Sequence, residues 1–162
     1  MSSMLPAVIA MVVLLPPPAI AQGRANLSGT WTMVPERSES PEQTPPIQSI
    51  VLDINQSDTA VSVSANRDGV TSATSYPIDN TRTPAAGTVG ANTTRAYWEG
   101  RRLVAWRAGN VQGQTVSVKE TFDVNADGSE LIVETTVEIQ HGYTMKGAKN
   151  YASSRDVFVK KR

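Results

Sequence analysis

The sequence predicts an all-β chain folded as an antiparallel up-and-down β-barrel of about 8–10 strands. Three observations carry this expectation. Beyond Gly29 the apolar residues recur at every second position, the spacing of strands with one face toward a core and one toward water. Tight-turn residues separate the alternating runs. No stretch of this region keeps an amphipathic helical pattern for as much as three turns.

Taken in order, Gly29-Thr30-Trp31 opens a strand over 29–34, which runs into a loop rich in Pro and Ser. Ile50, Leu52 and Ile54 alternate with Val51, Asp53 and Asn55 in strand 48–55. After Asp58-Thr59, Val61, Val63 and Ala65 alternate with Ser62, Ser64 and Asn66 in strand 60–67. Asp68-Gly69 turns the chain into strand 70–77, which is small on both faces. Small residues there leave volume either for a ligand or for bulky Trp98, Phe122 and Phe158 opposite. Glu99-Gly100 separates strands 93–98 and 103–108, and Gly109-Asn110 marks the next turn. Val116, Val118 and Phe122 share a face of strand 114–124. Asp127-Gly128 leads into strand 130–139, with Leu131, Val133, Val137 and Ile139 on one face, and strand 152–160 closes the set. Consecutive hairpins favour a barrel over a sandwich, since closure removes exposed edges.

Bulk properties exclude several functions. The 162 residues suit one domain. Lys+Arg and Asp+Glu both number 15, so no net field draws the chain to nucleic acid or to an anionic membrane. The absence of cysteine removes disulfides, thiol nucleophiles and thiolate metal sites. Residues 1–21 read as an export signal: an apolar run followed by Ala19-Ile20-Ala21, a small-x-small cleavage pattern. Pro16-Pro17-Pro18 breaks the run before it reaches the length of a membrane span, so cleavage after Ala21 and no lasting anchor are expected. Residues 22–162 then form a single secreted or periplasmic domain.

Gly29-Thr30-Trp31, then Pro35 and Ser38, Trp98-Glu99-Gly100-Arg101-Arg102-Leu103, Lys119-Glu120-Thr121-Phe122 and Asp127-Gly128-Ser129-Glu130-Leu131 are short motifs spread over nearly the whole domain. In this order they resemble a family of small secreted bacterial barrels of unknown function within the lipocalin-like, calycin group. The final strand lacks the Arg-x-Tyr pair with which fatty-acid-binding proteins hold a carboxylate, and the lipocalin Thr-Asp-Tyr signature is missing. The resemblance implies a lipocalin-like barrel in which Gly29 and Trp31 start and plug one end. It also implies that Arg155 lies against Trp31 as a cation–π partner, beside the plainer reading of Trp31 as a core aromatic.

If loops alternate strictly between ends, 35–47 shares an end with turns 68–69, 99–102 and 125–129. Turn 56–59 and loops 78–92, 109–113 and 140–151 then gather at the other. The long segments favour that second end as the binding mouth, whereas the lipocalin resemblance favours the first.

The remaining chemistry is sparse. Asp123-x-Asn125-x-Asp127-Gly128 with Glu134 satisfies a calcium-loop pattern. Its flanks are strands, however, and an extended Glu134 falls about 20 Å from Gly128, so an Asp-Gly hairpin turn is expected and no metal. His141, the only histidine, stands in a loop with no nucleophile signature anywhere, and no catalysis is expected. Glu120 shares its face with Val116, Val118 and Phe122 and either enters the barrel or stays hydrated at a rim. If inside, it needs a cation or hydrogen-bond donors, and Arg95, Arg107 and Arg155 are the candidate cations, among which strand parity alone does not choose. The expected site is Glu120, Arg95, Arg107, Trp98 and Phe122, binding a small apolar ligand with no cofactor. The alternative is a protein-interaction or inhibitor module acting through loops 78–92 and 140–151.

Overall fold

The computed structural model describes residues 23–39, 47–79, 93–111, 114–140 and 150–161. The export signal expected over 1–21, His141 and most of segments 78–92 and 140–151 lie outside these residues. Nine strands follow the alternation: β1 (Gly29–Met33), β2 (Ile50–Gln56), β3 (Ala60–Arg67), β4 (Val70–Pro77), β5 (Thr93–Glu99), β6 (Arg102–Val111), β7 (Gln114–Val124), β8 (Glu130–Gln140) and β9 (Tyr151–Lys160). Each hydrogen-bonds its neighbours in one sheet of order β4-β3-β2-β1-β9-β8-β7-β6-β5, every pair antiparallel. The sheet curls into a nearly closed barrel. β6 extends past the expected end at Ala108, because Gly109 pairs with Val116 and Asn110 with Thr115.

Strand direction corrects the expected sorting of the loops. Following the antiparallel pairs around the sheet from β1 to β4 and from β9 to β5 leaves the two edge strands, β4 and β5, running the same way. An odd number of strands cannot alternate direction around a closed ring. Among the described residues the seam between them therefore carries an isolated parallel bridge, Ile78 to Ala96, with Asp79 N–H donating to the Ala96 carbonyl at 2.9 Å. β4 ends at one mouth of the barrel and β5 begins at the other. Turns 57–59, 100–101 and 125–129 accordingly share one end with the start of β1. Turn 68–69, the end of β6 and the starts of β2, β5, β7 and β9 lie at the opposite end.

The first of these ends is sealed. Residues 23–28 run across it, with the Ala25 N–H donating to the Arg101 carbonyl and the Leu27 N–H to Gln56 Oε1. Trp31 is wholly buried, and its indole Nε1–H donates to the Leu27 carbonyl at 2.8 Å, so the tryptophan's one polar atom is satisfied. Around it pack Leu27, Ile54, Leu103, Leu131 and Phe158. The cation over Trp31 is Lys160, with Nζ 5.0 Å from the ring centroid, and not Arg155. Register explains the correction: Lys160 stands opposite Trp31 across the β1–β9 pair. Arg155 has the opposite parity on β9, so it faces outward opposite Glu134, and its backbone bonds Glu39. Gly29 has φ +133°, and a Cβ there would stand 2.7 Å from Lys160 Cε. Only glycine suits this position without strain.

On the outer wall, a 3₁₀ turn over Pro35–Arg37 bulges the chain from β9 before Glu39 rejoins it opposite Arg155. From this turn Arg37 reaches Glu130, at 2.7 Å, and holds its carboxyl below the usual carboxylate range.

Candidate functional site

Register sets the interior side chains of β5 to β9 in rows. Toward the seal, Trp98, Leu103, Phe122, Val133 and Asp156 stand side by side. The next row is Ala96, Ala105, Glu120, Thr135 and Ser154, and above it come Thr94, Arg107, Val118, Val137 and Ala152. The barrel thus changes character within two residues along each strand, from large apolar side chains to a layer of small and polar ones.

Glu120 enters the barrel and is only 8% exposed. Its Oε2 accepts a hydrogen bond of 2.5 Å from the phenol of Tyr76 on β4. Ala96 and Ala105, both wholly buried, stand in the same row and leave the phenol room to reach it. Burial, and then the neighbouring Glu120 carboxylate, push the Tyr76 hydroxyl far above the ordinary tyrosine range, so it remains a donor. Arg107, one row further from the seal, brings Nε to 3.9 Å from the same Oε2. Its side chain is 45% exposed.

Above this cluster lies a cavity of about 520 Å³ between the β4 edge and the β5–β7 wall. Val116 and Val118 contribute apolar surface, Thr74 and Thr94 hydroxyls, and Arg107 the charge. The small residues of β4 therefore border open volume, and Val70, on its inward face, is 73% exposed. Its lining residues Thr94, Gly109, Asn110 and Val116 lie toward the end of the barrel away from Trp31.

Of the five residues expected in the site, Glu120 and Arg107 come together. Arg95 does not: it has the opposite parity to Ala96 and Trp98 on β5 and stands opposite Trp106 on the outer wall. Trp98 and Phe122 pack in the row below and do not border the cavity. Tyr76 is the partner that sequence reasoning missed. The available signal was its place as the only large side chain on the inward face of β4 beyond Val70.

The calcium-like loop is a hairpin turn. Asp127 Oδ1 accepts from the Ser129 N–H and hydroxyl, Gly128 adopts φ +75°, and Glu134 stands in the ladder opposite Thr121. Those hydrogen bonds from Ser129 hold the Asp127 carboxyl below its ordinary range. Among the described residues no cluster of three or more acidic or histidine side chains is placed to hold a metal.

No family model matches this sequence, and no curated protein matches it. Solved structures do match its fold. Apo lipid binding protein 8 of Caenorhabditis elegans is similar with a TM-score of 0.53 at 13% identity, over 86% of this chain and 100% of that one. The fluorescent protein UnaG is similar with a TM-score of 0.51 at 13% identity, over 83% of this chain and 97% of that one. Nine antiparallel strands in a nearly closed ring, with almost no helix among the described residues, thus give this chain a lipocalin-like barrel fold similar to that of these solved structures.

Proposed function

We propose that the protein binds a small, mainly apolar molecule in the cavity beside the β4–β5 seam, without transforming it. The cavity itself carries this reading: about 520 Å³ falls within the size of small-molecule sites, and its lining sets Val116 and Val118 beside the hydroxyls of Thr74 and Thr94 and the charge of Arg107. The barrel fold shared with a lipid binding protein supports it. The binding role uses Arg107 and the wall residues Val116 and Val118, with the Tyr76–Glu120 pair standing behind Arg107. The open mouth and the weakly bonded seam provide the way in.

The test is native mass spectrometry of the protein purified from its own host, compared with a Val116→Trp variant that fills the cavity from its rim. A bound small molecule in the native protein, absent from the variant at unchanged melting temperature, supports the reading. A bare mass in both, with no uptake of an environment-sensitive apolar dye, overturns it.

Export before folding belongs to the same proposal, motivated by residues 1–21. N-terminal sequencing is expected to find Gln22 first. Membrane-bound material that retains Met1 would sink this part.

A further inference from the structure

We infer that the cavity selects neutral amphiphiles, such as long-chain alcohols or amides, over carboxylates of the same tail. The inference rests on the ligand-binding reading above and names the chemistry of the ligand's polar end. Among the described residues that border the cavity, Arg107 is the charged one. An unpaired guanidinium in an apolar cavity is a natural carboxylate site. Here it already stands 3.9 Å from Glu120, an acid taken almost wholly out of water.

Tyr76 cannot make up the difference, because its hydroxyl proton is directed at the same Glu120 oxygen. Arg107 and the pair behind it therefore bring one positive and one negative charge, with the phenol donor already engaged. An incoming carboxylate would lose its hydration and meet a cation already matched by an anion, with Glu120 close behind it. A hydroxyl or amide oxygen gives up far less water and still accepts from the guanidinium N–H groups, while Thr74 and Thr94 supply further hydroxyl partners.

The experiment measures competition for a neutral environment-sensitive dye by tetradecanol, tetradecanamide and tetradecanoic acid at about pH 8, where the acid is ionised. Wild-type protein is expected to bind the alcohol and the amide at least about tenfold more tightly than the acid. Glu120→Gln keeps an acceptor for Tyr76 and removes the opposing charge. It should narrow or reverse the preference, chiefly by improving the acid. Tighter binding of the acid by wild-type protein overturns the inference with no variant needed. A preference for the neutral ligands that Glu120→Gln leaves unchanged, in a variant that melts as a folded protein, overturns its stated cause. If dye and all three ligands fail to bind, the ligand-binding reading itself falls, and the preference with it.

Discussion

At the sealed end Leu27, Trp31, Leu103 and Leu131 lose all contact with solvent, whereas at the open end Val70, on the same inward face of the sheet, is 73% exposed. The difference teaches how one barrel divides its work. Large apolar side chains and the segment 23–28 concentrate stability at one end. The small residues of β4 and the polar row leave the other end unfilled. Between them, Tyr76 reaches from the β4 edge to Glu120 on β7, joining two sides of a seam whose backbones scarcely meet.

Substitutions at the two ends should therefore differ sharply in their effect. Trp31→Ala is expected to have the largest, about 3–5 kcal/mol, through lost transfer energy and the cavity left behind. Denaturant titration checks it, with Val116→Ala at the open end as the comparison. An unchanged midpoint for Trp31→Ala would erase the contrast.

Tyr76→Phe tests the join between the halves. Leaving Glu120 without its donor should cost about 1–3 kcal/mol at neutral pH. The same pair has a pH signature of definite sign. Above about pH 10 an unfolded tyrosine loses its proton while Tyr76, with its raised pKa, keeps it. The folded chain then holds more protons than the unfolded one. Stability, complete below that pH, falls by about 1.4 kcal/mol per unit from this residue as pH rises further. Tyr76→Phe should flatten that alkaline slope, and urea midpoints measured across the range would show whether it does.

Gly29→Val follows, at about 1–2 kcal/mol, since a β-branched residue must adopt φ +133° and displace Lys160. Lys160→Met should cost about 0.5–1 kcal/mol by removing the cation over Trp31. A thermal melt that separates the two variants would apportion strain and cation–π attraction at the seal. The smallest effect is none: millimolar Ca²⁺ should leave the melting temperature where Mg²⁺ leaves it, because Ser129 and the β-ladder engage the Asp127–Glu134 segment. A rise specific to Ca²⁺ would show a site in that turn.

The alternation of Ile50, Leu52 and Ile54, and of Leu131 and Val133, made the strands legible because each sheet face meets only one environment. The same parity placed Glu120 among inward residues. It did not show which cation was near, since that depends on which strands become neighbours around the ring. Arg95 and Arg155 stand outward on β5 and β9, and only the β1–β9 register brings Lys160, rather than Arg155, over Trp31. Gly109-Asn110 looked like a turn by composition, yet ladder bonds to Val116 and Thr115 carry it as strand. The sorting of loops failed for a topological reason: nine strands in a closed antiparallel ring force one parallel neighbour, and no local pattern says where.

The place of that parallel neighbour has a consequence for how the chain assembles. β1 to β4 form one meander and β5 to β9 another, each built from neighbours in sequence. They join in the middle of the sheet, where Lys161 N–H donates to the Thr30 carbonyl at 2.8 Å. The costliest loop closure in the molecule is thus made by its most distant strands. A circular permutant that links residue 161 to residue 23 through a short tether and opens the backbone within 80–92 would read β5 to β9 and then β1 to β4. Chain order and sheet order would then coincide from edge to edge. Such a chain should fold faster than the native one while keeping its barrel, with the former long-range pair reduced to a local connection.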